Sequence, residues 1–194
     1  MDSKGLINSR LQAHIDMIGA FAADEGLKEA VAKAAEVIEK SFRAGGRVYF
    51  CGNGGSAADA QHLAAEFSGK FYIDRDGLPA EALHCNTSYM TAVANDYSYD
   101  IVYARMMKGM GRKGDVLVGI STSGNSTNTV KAFEVCRQKG IATIALTGEG
   151  GGKMKDLADV LVNVPSKDTP RIQEAHILAG HMICEIVEAA IFNK

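Results

Sequence analysis

At 194 residues with 46% apolar side chains, the chain can bury one well-formed core and is short for two. Its net charge of -2, without a block of Lys and Arg, excludes the concentrated basic surface that counterion-driven binding needs, so nucleic acid is not expected as a direct ligand. No window reaches 18 uninterrupted apolar residues, and the opening Met-Asp-Ser-Lys-Gly-Leu has no basic segment leading into an apolar one, which predicts a cytoplasmic, soluble protein with no membrane partner.

Residues 1–44 are helical in pattern. Leu6, Leu11, Ile15, Ile18 and Phe21, then Leu27, Val31, Ala34, Val37, Ile38 and Phe42, recur at spacings of three to five, which predicts two amphipathic helices broken near Asp24 to Gly26. After Gly45-Gly46 short β-rich runs alternate with helical ones: Val48 to Phe50, Ala80 to Cys85, Val116 to Ile120, Thr143 to Thr147 and Val160 to Val164. This alternation predicts an α/β fold with a parallel sheet wrapped by helices, read as a single domain over 1–194. Pro170 stands where a helix can start, and Ile172 to Phe192 read as a long closing helix. Cys51, Cys85, Cys136 and Cys184 make no C-x-x-C pair and are expected as buried free thiols. Met106, Met107 and Met110 are expected in packing, and His14, His84 and His176 in structural or surface roles.

Two loops carry chemistry. Cys51-Gly52-Asn53-Gly54-Gly55-Ser56 joins the first strand to a helix, with glycines that let a ligand approach the main chain and Ser56 as the expected helix cap. His62 and Glu66 follow four apart, on one face of that helix. Ser121-Thr122-Ser123-Gly124-Asn125-Ser126 places four hydroxyls at a second strand-to-helix junction, which suits a phosphate. The serine loop alone also reads as an ordinary polar turn. Two of them at C-terminal strand ends of one sheet favour a phosphorylated small molecule, because ligands of open α/β folds bind in that crevice. Gly52, Gly54 and Ala57 satisfy the loose dinucleotide pattern, but the next strand ends in His84-Cys85-Asn86 without the acidic residue that would hold a ribose. No G-x-x-x-x-G-K-[ST] sequence is present.

Gly52 to His62, Asn95-Asp96, Gly114 to Leu117, Ser121 to Ser126, Leu146-Thr147-Gly148 and Arg171 to Glu174 together closely resemble the bacterial sedoheptulose 7-phosphate isomerases, or phosphoheptose isomerases, of the sugar isomerase (SIS) family. The resemblance runs from about residue 40 to the C-terminus, with weaker agreement before it. It implies a three-layer sandwich around a five-stranded parallel sheet, with N-terminal helices that pack on the core and on neighbouring subunits of a homotetramer. It further implies that Asn53, Gly54, Gly55, Glu66, Asn95, Asp96, Ser121, Thr122, Ser123, Ser126 and Gln173 contact a phosphorylated heptose. His62, Glu66, Gln173 and His181 fall on the family's zinc ligands, one Zn2+ per subunit, and Glu66 and His181 on its acid and base.

Ketose–aldose conversion moves a proton from C1 to C2 through an enediol while protons shift between O1 and O2, work that a carboxylate and an imidazole can do near neutral pH. Glu66 is assigned as base at carbon and His181 as its partner, while a zinc ion would polarise the carbonyl. The expected product is D-glycero-D-manno-heptose 7-phosphate, a precursor for lipopolysaccharide core or other surface glycans. The rival reading is a non-catalytic SIS adaptor that binds another protein. Such adaptors resemble the chain in the glycine loop but lack the carboxylate and imidazole at positions 66 and 181.

Overall fold

The computed structural model describes residues 2–192. Helix α1 (Ser3–Ala23) and helix α2 (Glu25–Arg43) meet at Asp24, whose carboxylate accepts from the Leu27 N–H at 3.0 Å and caps the second helix as its backbone ends the first. The break therefore falls where the sequence placed it. Then follow β1 (Val48–Gly52), α3 (Gly55–Ser68), β2 (Ala80–Ala82), α4 (Thr87–Asp96), α5 (Val102–Met110), β3 (Val116–Ser121), α6 (Thr127–Lys139), β4 (Ala142–Gly148), β5 (Val160–Val164) and α7 (Thr169–Phe192).

All strand pairings are parallel, in the order β2-β1-β3-β4-β5. Alternate strand residues face opposite layers, as the two-residue period of a strand requires. Val48, Phe50, Val116, Val118, Ile144 and Leu146 pack with α1, α2, α3 and α7, whereas Tyr49, Cys51, Leu117 and Ala145 pack with α4, α5 and α6. The sheet is covered on both faces, so its strands read as continuous apolar runs.

The second strand is shorter than expected. Only Ala80–Ala82 pair with β1, and the Cys85 N–H turns back to the Ala82 carbonyl at 3.3 Å. At a sheet edge few ladder bonds reward extension, and Asn86 caps α4 through the Tyr89 N–H at 3.0 Å. Cys85 is accordingly exposed, unlike the buried Cys51, Cys136 and Cys184. Met107 is fully buried, while Met110 is exposed. Helix α7 is long and apolar enough by composition to cross a membrane, but Ile172, Ala175, Ala179, Ile183 and Val187 are buried in the core against α2, α3 and the sheet.

The position of the crevice follows from the strand order. From β1 the chain steps outward to β2, then returns across to β3, so the loops after β1 and β3 diverge. Gly52 pairs with Ile120, which starts both loops at one level of the sheet.

Candidate functional site

The glycine loop enters α3 through Gly54, at φ 57° and ψ -122°, a conformation open to glycine and disfavoured for any residue with a Cβ. Gly54 rather than Ser56 is the cap residue, and no side chain caps α3; Ser56 is buried in the first turn. The turn geometry leaves the first amides of α3 without a side-chain acceptor, a setting that suits an anionic or oxygen-rich ligand. A Cβ on Gly55 would collide with the side-chain amide of Gln173, so this glycine is what lets α7 lay Gln173 against the loop.

Two turns along α3, His62 and Glu66 share a face, as their spacing predicts. The Oε1 of Glu66 lies 3.2 Å from His62 Nε2. Across the interface with α7, His181 Nε2 lies 2.8 Å from His62 Nε2, and one ligand atom from each of the three residues falls within 4.8 Å of the others. Two imidazoles and a carboxylate are an ordinary zinc donor set. Tetrahedral ligands at about 2.0–2.1 Å from zinc stand roughly 3.3 Å apart, so the His62–His181 separation would open by about half an ångström around an ion. The residues fit such a cation. Phe71 packs its ring 5.8 Å from that of His181, walling one side.

The serine loop is held from within. Ser121 Oγ and Ser126 Oγ lie 2.9 Å apart, the Ser123 hydroxyl accepts from the Asn125 N–H at 3.1 Å, and the Thr122 carbonyl accepts from the Gly148 N–H at 3.0 Å. Ser126 stands at the cap position of α6 but makes no side-chain capping bond; the Thr129 N–H is taken by Asn128 Oδ1, and the N–H groups of Thr127 and Asn128 remain for a ligand at the helix end. Asn95 and Asp96 form the last residues of α4 rather than an isolated turn. Both are exposed; the Asn95 amide donates to Asp96 Oδ1 at 2.9 Å, and among the described residues neither side chain bonds to either loop. The structure thus brings His62, Glu66 and His181 together and Gln173 against the glycine loop, while Asn95 and Asp96 stand apart from those contacts.

Several residues at the site escape the sequence reading. Asn128 and Tyr99 bond to Asn53, and the buried Tyr103 hydroxyl donates to the Gly52 carbonyl. Burial holds the Tyr103 phenol well above its ordinary range, so it is a fixed donor. Arg75 and Glu188 form a buried pair beneath residues 66–76. Glu188 had a legible signal: it follows Cys184 by four residues inside the apolar stripe of α7, and a charge in such a stripe requires a partner. His176 is fully buried, and burial holds its imidazole down at about 4, so it stays neutral. His14 pairs with Glu174 at 2.7 Å where α1 meets α7.

Residues 18–148 match the family model described as "SIS domain". A phosphoheptose isomerase from Aneurinibacillus thermoaerophilus is 50% identical over 188 residues, 97% of this chain and 95% of the relative. One from Rhodospirillum rubrum is 56% identical over 162 residues, 84% and 86% of the two chains. The solved structure of a phosphoheptose isomerase from Neisseria gonorrhoeae superposes with a TM-score of 0.90 at 41% identity, covering 96% of this chain and 98% of that one.

Proposed function

The chain belongs to the SIS domain family, among its phosphoheptose isomerases, and on that footing we propose how its side chains divide the interconversion of sedoheptulose 7-phosphate and D-glycero-D-manno-heptose 7-phosphate. The enzyme supplies heptose precursors, for lipopolysaccharide core or other surface glycans. The single observation that carries the assignment is the meeting of His62, Glu66 and His181 across α3 and α7, the same two helices that bring Gln173 against the glycine loop. An adaptor would need no such cluster.

In this reading Ser121, Thr122, Ser123 and Ser126, with the first amides of α6, take the phosphate, whose charge the helix end favours. Asn53, Gly54, Gly55, Asn95 and Asp96 meet the sugar oxygens. Glu66 takes one proton from C1 of the ketose and returns it to C2. His181 passes the O1 proton to O2, so that C1 becomes the aldehyde carbon and C2 a carbinol with no net gain or loss of atoms. Gln173 orients the reacting end. His62, Glu66, Gln173 and His181 would hold one Zn2+, which supplies polarisation of the carbonyl and of the enediolate charge when bound.

Purified protein is expected to consume sedoheptulose 7-phosphate in a coupled assay and to carry about one zinc per subunit by elemental analysis. Prolonged dialysis against a chelator should remove both, and added zinc should restore both. A chelated protein that keeps full activity would sink the zinc assignment without touching the isomerase one.

The N-terminal helices are assigned to subunit packing in a homotetramer. Leu6, Ile7, Leu11 and Ile15 on α1 are 45–60% exposed in the single chain, an apolar surface that the described residues leave largely open. Replacing Leu11 and Ile15 together by Asp should shift the light-scattering mass from four chains to fewer, because each charge would sit in the buried contact. An unchanged tetramer would remove α1 from the interface. A cytoplasmic site of action is part of the same proposal, since the substrate is a charged phosphosugar of the cell interior.

A further inference from the structure

Asn128 opens α6 two residues after Ser126 and is 3% exposed, too buried to be left unpaired. Its Oδ1 accepts from the backbone N–H of Thr129 at 2.9 Å. A main-chain N–H can only donate, so this contact fixes which end of the Asn128 amide is oxygen. The orientation then passes to Asn53. Asn53 Nδ2 donates to Asn128 Oδ1 at 2.9 Å and Asn128 Nδ2 donates to Asn53 Oδ1 at 2.9 Å, a closed pair of reciprocal bonds. The hydroxyl of Tyr99 donates to the same Asn53 Oδ1 at 3.0 Å.

At Asn53 the count of donors and acceptors is then complete except at one place. Both acceptor sites of the Asn53 oxygen are occupied, and one of its two N–H groups is used. What the side chain has left for a ligand is a single N–H. Turning the Asn53 amide over would set oxygen against oxygen and nitrogen against nitrogen across the pair, losing both reciprocal bonds.

We propose that Asn128 and Tyr99 are positioning residues that lock Asn53 as a hydrogen-bond donor toward an oxygen of the phosphorylated sugar, and that the Asn53–Asn128 pair holds the glycine and serine loops at a fixed separation. The proposal rests on the reading that substrate lies against the glycine loop. Neither positioning residue touches the reacting carbons; each acts through Asn53. Asn128 stands at the start of α6, where β1 and β3 diverge, and from there its buried amide reaches the loop of the neighbouring strand. The selectivity that follows is for an acceptor oxygen, and against an analogue that lacks it or offers only a donor there.

The test is a set of mutant cycles in zinc-loaded enzyme: Asn53→Ala, Asn128→Ala, Tyr99→Phe, Asn53→Ala with Asn128→Ala, and Asn53→Ala with Tyr99→Phe. Each is read for kcat, KM for sedoheptulose 7-phosphate and thermal midpoint. Asn53→Ala is expected to raise KM about 10-fold, and Asn128→Ala and Tyr99→Phe about 3- to 10-fold, the scale of one neutral hydrogen bond. Neither second change should raise KM further once Asn53 is Ala. Effects that multiply in the double mutants overturn the positioning role alone. A normal KM for Asn53→Ala overturns the placement of substrate at the glycine loop, and the inference with it. Tyr99 is 49% exposed and its phenylalanine variant keeps the ring, so the Tyr99 cycle decides the matter even where Asn128→Ala does not fold.

Discussion

Exchange of Glu66 for Gln should lower kcat about 10³-fold while KM stays within a few-fold, because the variant keeps the size and polarity of the side chain and loses only its capacity to take a proton. The backbone argues that geometry will survive the change. Glu66 lies within α3, and its carbonyl accepts from an Arg75 guanidinium nitrogen at 2.9 Å, a contact that the side-chain exchange leaves untouched. Two consequences of one substitution must be separated, since the same carboxylate faces His62 and His181 across the proposed metal position. Zinc content and activity at saturating zinc do this. A variant that keeps its zinc and loses its rate identifies Glu66 as the base; one that regains the rate with excess zinc identifies it as a ligand only. His181→Ala, which removes the proposed O1–O2 proton carrier, should fall about 10²-fold under the same conditions. A Glu66→Gln enzyme with full metal and near-normal kcat would move the base to another group.

What the sequence makes legible follows the range of the forces involved. The strands β1, β3 and β4 are central, and burial on both faces writes them as apolar runs. The edge strand β5 buries one face and half-buries the other, and Val160–Val164 coincides with its expectation. Strand β2 is an edge strand, and Leu83 and His84 follow it in a turn despite their strand-like composition. His62 and Glu66 are readable because a helix brings residues four apart to one face. His181 lies 119 residues from His62, and no local period could join them; the resemblance did. Ser56 misleads because its chemistry suits a cap, whereas the backbone of Gly54 takes the cap position. Asn128 stays hidden for a related reason: a polar residue in a first helical turn reads as solvated until the neighbouring loop supplies its partner.

The largest stability effect is expected at Glu188, where Gln should destabilise the fold by about 3–5 kcal/mol, because it leaves the Arg75 guanidinium buried without its counter-charge. Both side chains are 2% exposed, and Arg75 Nε stands 2.8 Å from Glu188 Oε1. Three backbone N–H groups, of Phe71, Tyr72 and Ile73, also donate to the Glu188 carboxylate at 2.7–3.0 Å, while Arg75 Nη1 donates to the carbonyls of Phe67, Gly69 and Asp76. This pair therefore folds the segment after α3 back onto α7 and delivers Phe71 to His181. For a chain of this size the thermal midpoint should fall by roughly 6 to 20 °C. Joint replacement of Arg75 by Met and Glu188 by Leu should recover little of the loss: it removes the lone charge but leaves the N–H groups of Phe71, Tyr72 and Ile73 without their acceptor. Burial alone would raise the Glu188 carboxyl, but the three N–H donors and Arg75 outweigh it and hold it below the ordinary 4.5. A depressed carboxyl contributes stability that is fully present above the unfolded value and disappears as pH falls through the folded one. The gap between wild type and Glu188→Gln, measured by urea unfolding, should be constant from neutral pH down to about 4.5 and close below it, as wild-type Glu188 takes up its proton. A gap that persists unchanged below that range would mean that shape, and not the charge on Glu188, holds the segment in place.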